Sequence, residues 1–263
     1  MPSKPRLGQN FLVDAQAAQQ IAAALGGLAG RTVVEIGPGQ GAITGVLAAR
    51  AGHVVAIELD RELAAGLRGQ FAPGRVTVVE QDVLQFDFAE AAAEAGERLL
   101  VAGNLPYYIT SPILLKLAVS HAALDLAVLM VQREVADRVT SKPGSRDYGL
   151  LSVTAQMYGP VEQLFTLPPS AFSPPPQVHS TVIRWRFSPR FAELSVQEAG
   201  FLRFLRQAFA QKRKTLANNL RAAGVAPAAA QAALAAAGID TQARAEAVSI
   251  EDLAALWRGL GDK

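Results

Sequence analysis

The chain has 263 residues, half of them hydrophobic, and a formal net charge of +2, so it can bury a core in one or two domains. It contains no cysteine, which excludes disulfides and thiolate metal sites, and its apolar runs are too short to cross a bilayer. The first ten residues lack an apolar secretion signal, so we expect a cytoplasmic protein without a membrane partner. The three histidines are scattered without ligand spacing, so we also expect no bound metal.

Strand and helix signals alternate between residues 31 and 140. Short runs rich in Val, Ile and Leu predict strands at 32–36, 54–58, 75–80, 98–103 and 125–131. Helices are predicted before and between them, at 14–25, 41–51, 61–70, 111–120 and 132–140. Because apolar strands separated by helices form parallel sheets covered on both faces, this alternation predicts a doubly wound α/β domain.

The pattern changes after residue 147. One more helix is predicted at 148–158, and two strands follow at 160–167 and 178–187 with no helix between them. Such a succession indicates an antiparallel pair at one edge of the sheet. Only helices are predicted thereafter, at 196–210, 212–223, 227–237 and 249–259. We therefore expect an α/β domain over residues 1–188 and a small all-α domain over residues 189–263.

A glycine-rich loop follows the first strand. Gly37, Gly39 and Gly41 open the next predicted helix, where glycines let the backbone approach a ligand and the helix N-terminus presents donors. Glu58 ends the following strand, at the position of a carboxylate that binds a ribose diol. A nicotinamide dehydrogenase needs Gly-x-Gly-x-x-Gly around its pyrophosphate, whereas here the third glycine comes one residue early and Glu35 precedes the first. The loop thus favours a nucleoside cofactor without a phosphate.

Asp82 follows the third predicted strand. A carboxylate there can accept a hydrogen bond from an adenine amino group, although a lone Asp is more often a turn or helix-cap residue. Its place after the glycine loop and Glu58, at successive strand ends, favours the adenine. All three features belong at the carboxyl edge of the sheet, where open α/β folds bind ligands.

The tetrapeptide Asn104-Leu105-Pro106-Tyr107 ends the fourth predicted strand. An aromatic amine is a poor nucleophile because its lone pair is delocalised into the ring, and two acceptors on its N–H groups free that pair. The side-chain amide of Asn104 and the carbonyl of Leu105 can supply these acceptors. Pro106 fixes the backbone direction, and Tyr107 can stack on the base. With the glycine loop, the tetrapeptide predicts methyl transfer from S-adenosylmethionine to a base nitrogen.

Basic residues are concentrated near the C-terminus. Residues 203–221 contain six basic residues and no acidic one, among them Lys212, Arg213 and Lys214. This segment indicates either a phosphate-rich partner or a solvated helix face, and composition alone does not separate the two.

With these motifs in order, the chain resembles the bacterial KsgA/RsmA-type small-subunit rRNA adenine dimethyltransferases. The resemblance runs nearly end to end, through Gly8–Leu12, Glu35–Gly41, Asn104–Pro112, Phe172–Ser180, Lys212–Leu220 and Arg244–Glu246. Two positions depart from the family pattern, with His179 in place of the more usual Asp and Lys212 in place of a common Arg.

The resemblance implies a Rossmann-like class I methyltransferase sheet, mostly parallel with an antiparallel edge, and a small all-α C-terminal domain. It implies that the cofactor site is formed by Asn10, Leu12, Glu35, Gly37, Gly39, Glu58, Asp82 and Asn104. It also implies that Phe172 stacks on the target adenine and that Lys212, Arg213 and Lys214 contact RNA from a helix. The expected substrate is N6 of two adjacent adenosines near the 3′ end of small-subunit rRNA within a pre-30S particle, and the expected enzyme is a monomer.

Three alternatives stay open. An Erm-type large-subunit rRNA methyltransferase would share the fold and site, and the basic segment with Arg244–Glu246 argues against it. A non-catalytic assembly factor on the same scaffold would not need the intact acceptor set of residues 104–107. A nicotinamide oxidoreductase would bind NAD rather than S-adenosylhomocysteine.

Overall fold

The computed structural model describes residues 10–72 and 74–261. Parts of the N-terminal motif, Gly8 and Gln9, lie outside these ranges. Contacts between Cα atoms divide the chain into two compact units. The first unit contains the chain up to Ala136 and Val161–Phe187, and the second contains Asp137–Pro160 and the chain from Ser188 onward.

Two sheets form in the first unit. The nine strands of the described residues are β1 (Phe11–Leu12), β2 (Thr32–Ile36), β3 (His53–Glu58), β4 (Val76–Glu80), β5 (Leu99–Asn104), β6 (Leu124–Gln132), β7 (Val161–Leu167), β8 (Phe172–Ser173) and β9 (Ser180–Arg186). The larger sheet has the order β4-β3-β2-β5-β6-β9-β7, and β1 pairs with β8 in a two-stranded sheet. Strands β2 to β6 are parallel, and β9 is antiparallel to both β6 and β7. The predicted parallel sheet with an antiparallel edge is confirmed.

Helices precede and connect the parallel strands. They are α1 (Ala15–Ala24), α2 (Ala42–Arg50), α3 (Arg61–Gln70), α4 (Phe88–Ala95) and α5 (Thr110–Val119), while α6 (Arg133–Thr140) crosses from the first unit into the second. The sequence analysis did not predict α4. Its signals were present, since the segment is rich in Ala and Glu and Asp87 caps it by accepting hydrogen bonds from the N–H groups of Ala89 and Glu90.

The apolar character of the strands explains the core of the first unit. Ile21 of α1, Leu47 of α2, Val33 of β2 and Leu100 of β5 are buried in one cluster. Helix α1 packs against α2 and β6, and α3 packs against β3 and β4. Burying each such aliphatic side chain contributes about 1.5–3 kcal/mol, which holds the strand ends in fixed positions.

The order of the strands reverses between β2 and β5. From β2 the chain proceeds to β3 and β4 on one side, and it then returns to β5 and β6 on the other side. Connections that leave two neighbouring parallel strands in opposite directions open a crevice at their carboxyl ends. The loop after β2 and the loop after β5 therefore flank one crevice.

The second unit is helical. After α6 it contains α7 (Leu150–Met157), α8 (Glu198–Ala208), α9 (Leu216–Ala222), α10 (Pro227–Ala236) and α11 (Ile250–Leu260). Phe201 of α8 packs edge to face on Trp257 of α11, with the ring centroids 5.9 Å apart. None of the helices within residues 10–72 and 74–261 is both long and apolar enough to span a membrane.

The structure differs from the sequence analysis in two places within this unit. The sequence predicts residues 137–160 to be part of the α/β domain, but in the structure this segment groups with the C-terminal helices. Tyr148 packs on Phe209, and the backbone N–H group of Arg190 donates a hydrogen bond to the Met157 carbonyl. The helix predicted at 212–223 begins only at Leu216, because Thr215 caps it by accepting a hydrogen bond from the Asn218 N–H group. Lys212–Lys214 therefore lie in a turn, and their predicted helical placement is wrong.

A glycine controls how closely β5 approaches β2. A Cβ atom added at Gly103 would lie 2.6 Å from the carbonyl oxygen of Ile36. We expect Gly103→Ala to lower the free energy of unfolding by about 1–3 kcal/mol, as overpacking does in a close-packed core. Gly45, in the exposed middle of α2, is the matched control because an added Cβ meets no atom within 4 Å. Gly45→Ala should instead raise stability by about 0.5–1 kcal/mol, and urea unfolding of both variants measures the difference. Equal effects of the two substitutions would contradict the proposed close approach.

Candidate active site

A cleft open to solvent lies at the carboxyl ends of the parallel strands, where open α/β folds bind their ligands. It brings together most of the predicted site residues, namely Asn10, Gly37, Gly39, Glu58, Asp82, Asn104, Leu105, Pro106 and Tyr107. It is also lined by residues that the sequence analysis did not select, namely Phe11, Ile36, Ile57, Leu59, Gln81, Val83, Tyr108 and Ile109. All of these residues belong to the first unit.

The loop after β2 needs its glycines. Gly37 and Gly39 have φ angles of +65° and +56°, a region that side chains other than glycine rarely adopt. A Cβ atom on Gly39 would lie 2.9 Å from Cδ1 of Phe11. The Gly37 N–H group donates to the Ile57 carbonyl at 3.0 Å, so the loop is held against the end of β3.

Glu58 organises the loop after β2. Its Oε2 atom accepts a hydrogen bond from the Gly39 N–H group at 3.0 Å, and its Oε1 atom accepts one from the Asp60 N–H group at 2.9 Å. Each carboxylate oxygen retains a lone pair for a further donor. Glu58 can therefore position the glycine loop and bind a diol at the same time.

Asp82 also combines two roles. Its Oδ1 atom accepts a hydrogen bond from the Leu84 N–H group at 2.9 Å and thereby caps a short 3-10 turn that begins at Val83. This is the turn-cap role that the sequence allowed. Because a carboxylate has two oxygens and Asp82 lines the cleft, it can still accept a hydrogen bond from a ligand.

The loop after β5 is fixed by hydrogen bonds at both ends. The Asn104 Nδ2 group donates to the Asn10 carbonyl at 3.0 Å, and the Leu105 N–H group donates to the Met130 carbonyl at 3.0 Å. The Pro106 carbonyl accepts hydrogen bonds from the Ile109 N–H group at 3.2 Å and from the Thr110 hydroxyl at 3.0 Å. With its amide nitrogen engaged, Asn104 has its side-chain oxygen as the remaining acceptor.

Tyr107 is anchored through its hydroxyl group. This group lies 2.7 Å from the Ser180 Oγ atom. Burial raises the pKa of the Tyr107 hydroxyl above its usual value, and the hydrogen bond with Ser180 partly offsets this effect. The bond fixes the orientation of the ring at the cleft.

Glu35 is buried beneath the loop after β2 and does not line the cleft. Its side chain is only 1% exposed, and its Oε2 atom has no hydrogen-bond partner within residues 10–72 and 74–261. The pKa of this carboxyl is raised from 4.5 to about 7, mainly by burial and to a smaller extent by the charge of Glu58, while hydrogen bonding with Thr44 opposes the rise. A buried carboxyl oxygen without a partner lowers the stability of the folded chain.

Phe172 and Leu12 are placed differently from the predicted arrangement. In the two-stranded sheet Leu12 is opposite Phe172 and Phe11 is opposite Ser173. Since successive side chains of a strand point to opposite faces, Phe11 lines the cleft while Leu12 and Phe172 are buried in the core, with exposures of 6% and 3%. The structure therefore does not bring Phe172 to the cleft as a stacking residue.

Comparison with known proteins identifies the family. The family model described as ribosomal RNA adenine dimethylase matches residues 2–260. The chain belongs to this family. It is 61% identical, over 99% of its length and 92% of the relative, to ribosomal RNA small subunit methyltransferase A of Acidobacterium capsulatum. It is 50% identical, over 98% of its length and 94% of the relative, to the protein of the same name from Koribacter versatilis.

Solved structures show the same fold. A dimethyladenosine transferase from Plasmodium falciparum matches 94% of this chain and 95% of its own, with a TM-score of 0.76 and 21% identity. The 23S rRNA methyltransferase ErmE matches 95% of this chain and 99% of its own, with a TM-score of 0.72 and 26% identity. The KsgA/RsmA-type resemblance and the class I methyltransferase fold inferred from the sequence are confirmed.

As a ribosomal RNA adenine dimethylase, the chain uses S-adenosylmethionine as its methyl donor. The cleft fits this cofactor by its own features. Gly37 and Gly39 line the cleft, Glu58 and Asp82 present acceptor oxygens there, and the loop after β2 lacks the Gly-x-Gly-x-x-Gly pattern that binds a pyrophosphate.

The raised pKa of Glu35 predicts a pH dependence of stability without cofactor. Between pH 4.5 and about 7 the unfolded chain loses this proton while the folded chain keeps it, so stability falls as the pH rises. One pKa unit corresponds to about 1.4 kcal/mol, which makes the full cost about 3 kcal/mol. Glu35→Gln removes this titration.

We therefore expect the difference in free energy of unfolding between Glu35→Gln and the wild type to change by about 3 kcal/mol in favour of the variant as the pH rises from 5 to 8. Urea unfolding at the two pH values measures the gain, and Glu90→Gln on α4 controls for the loss of one surface carboxylate. Parallel stability curves for wild type and Glu35→Gln would contradict the raised pKa.

Proposed function

We propose that this chain transfers methyl groups from S-adenosylmethionine to N6 of two adjacent adenosines near the 3′ end of small-subunit rRNA, within a pre-30S particle. The observation that carries the proposal is the loop after β5. It presents the Asn104 amide, oriented by the Asn10 carbonyl, at the end of a cleft that also holds the glycine loop, Glu58 and Asp82.

The residues of this loop account for the chemistry. S-adenosylmethionine supplies a methyl group that is already activated on a sulfonium. The side-chain oxygen of Asn104 and the carbonyl oxygen of Leu105 each accept a hydrogen bond from one N–H group of the adenine amine. These two hydrogen bonds free the lone pair of the nitrogen. Tyr107, fixed by Ser180, stacks on the base and aligns the nitrogen for in-line displacement. The methylated nitrogen then loses its proton to water, so no side-chain base is required.

The relatives favour the small subunit over the large one. Identities of 61% and 50% are to proteins named for the small subunit, whereas ErmE, named for 23S rRNA, shares 26%. The intact set from Asn104 to Tyr107 favours an enzyme over a non-catalytic assembly factor, because an assembly factor has no need of two acceptors for an amine.

We propose that loops of the second unit contact RNA phosphates. The Leu216 N–H group donates to the Ala243 carbonyl and the Gly144 N–H group donates to the Glu246 carbonyl, both at 2.8 Å. These bonds join three loops whose exposed basic side chains are Lys142, Arg146, Lys212, Arg213, Lys214 and Arg244. The Asn219 side chain holds the turn of Lys212–Lys214 by donating to the Ala208 carbonyl at 2.7 Å and the Gln211 carbonyl at 3.3 Å.

A cytoplasmic location and a monomeric state belong to the same proposal. Assembling ribosomal subunits are the substrate, which places the reaction where those subunits are made. Every residue that lines the cleft comes from one unit of one chain, so a second copy is not needed to complete the site. Light scattering at working concentration measures the mass of the particle.

The direct test is transfer of tritium from labelled cofactor to small subunits that lack the modification, followed by mapping of the labelled bases. Label on two adjacent adenosines near the 3′ end of the small-subunit rRNA supports the proposal. Label only on large-subunit rRNA would favour the Erm-type alternative, and no label on either RNA would favour the assembly factor.

Asn104→Ala should lower kcat by about 10²–10³-fold, because one preorganised acceptor contributes about 2.7–4 kcal/mol to the barrier. The affinity for S-adenosylhomocysteine should change far less, since the amine is bound only when the base is docked. Single-turnover transfer to unmodified small subunits measures the chemistry, and calorimetry measures the affinity. Turnover within a few-fold of the wild type would refute the role of Asn104.

Neutralising Lys212, Arg213 and Lys214 to Gln should weaken RNA binding and reduce its dependence on salt. Each lost phosphate contact lowers the slope of log affinity against log salt by about 0.7–0.9. The matched control replaces Arg50 of α2 and Arg61 and Arg68 of α3 by Gln, which lowers the net charge by the same amount as the first triple variant. Binding to unmodified small subunits across a salt series is the measurement. The same slope for both triple variants would mean that the basic turn makes no specific phosphate contacts.

A further inference from the structure

Tyr108 is an exposed aromatic side chain at the edge of the cleft. It lines the cleft with Asn104, Leu105, Pro106 and Tyr107, yet 57% of its surface is exposed. Its hydroxyl and ring make no hydrogen bond and no ring contact within residues 10–72 and 74–261. An exposed aromatic ring in the lining of a cleft is available to stack on a flat ligand.

The backbone gives the two neighbouring tyrosines opposite roles. Tyr107–Ile109 form a single 3-10 turn, in which successive side chains point about 120° apart. Tyr107 is directed to Ser180, so Tyr108 is directed away from that anchor. The Pro106 carbonyl holds the turn through Ile109 and Thr110, and the exposed ring is therefore presented from a fixed backbone.

The position of Tyr108 in the chain distinguishes an RNA base from the cofactor as its partner. Tyr108 shares a loop with Asn104 and Leu105, which accept the amine of the target adenine. The cofactor residues Gly37, Glu58 and Asp82 come instead from the ends of β2, β3 and β4. An unpaired nucleobase is flat and can stack on an aromatic ring whatever the identity of the base.

We propose that Tyr108 forms a second nucleobase subsite, on which the nucleotide next to the target adenosine stacks. This inference rests on the proposed function, in which two adjacent adenosines are modified. When one of them occupies the cleft, the other is its nearest neighbour along the strand and the base within reach of Tyr108. The subsite binds RNA and takes no part in the transfer itself.

The consequence is a split between binding and chemistry. Removing the ring with Tyr108→Ala should raise KM for unmodified small subunits about tenfold (about 1.4 kcal/mol) and leave kcat within about twofold. Tyr108→Phe keeps the ring and should restore KM. Leu115→Ala is the matched control, because Leu115 is 46% exposed on α5 and does not line the cleft, and this variant should have the activity of the wild type.

A binding measurement tests the subsite without turnover. The probe is a short single-stranded RNA with two adjacent adenosines, in which 2-aminopurine replaces the nucleotide on the 5′ side or the 3′ side of the target. Stacking on Tyr108 should quench the fluorescence of one of the two probes in the wild type and in Tyr108→Phe, with the quench lost in Tyr108→Ala. Leu115→Ala should retain it.

The outcomes separate this inference from the proposed function. If the wild type methylates small subunits but Tyr108→Ala has the wild-type KM and quench, only the subsite is refuted. A loss of affinity for S-adenosylhomocysteine in Tyr108→Ala as large as the loss for RNA would also refute it, because the ring would then serve the cofactor. Absence of transfer by the wild type would refute the proposed function, while the fluorescence result would still decide whether Tyr108 stacks a base.

Discussion

The reversal of strand order between β2 and β5 is the constraint on which the active site depends. It places the loop after β2, with Gly37 and Gly39, next to the loop after β5, with Asn104 and Tyr107. Residues 60 and more apart in the sequence thus line one cleft. The two strands approach so closely that a side chain at Gly103 would collide with Ile36. The sheet therefore fixes the distance between the loop after β2 and the loop after β5.

Hydrogen bonds between segments then prepare the site before any ligand binds. Glu58 on β3 holds the glycine loop after β2, and the carbonyl of Asn10 orients the amide of Asn104 after β5. In each case a polar group from one segment fixes a functional group on another, which lowers the entropy cost of binding.

The motifs at the strand ends are easier to recognise in the sequence than the segments around them. Strand β2 and the motifs at the strand ends follow from apolar runs, glycines and strand-end carboxylates, which are strong local signals. The pairing of β1 with β8 could not be predicted, because two-residue strands are too short to show an alternating pattern. For the same reason the sequence did not indicate that Phe11 and Leu12 lie on opposite faces. Similarly, the segment from Lys212 contains good helix formers, yet the cap at Thr215 delays the helix to Leu216.

This contrast has a chemical origin. Methyl transfer to an aromatic amine needs particular acceptors at a particular strand end, so Asn104 and its neighbours are recognisable in the sequence. Binding of RNA phosphates, which we propose for the three joined loops of the second unit, needs only positive charge within reach, and exposed loops can supply this charge from many positions. A stacking surface lies between these cases. Tyr107 and Tyr108 are neighbouring residues of the same type. The 3-10 turn that contains them directs the first ring to Ser180 and leaves the second ring exposed.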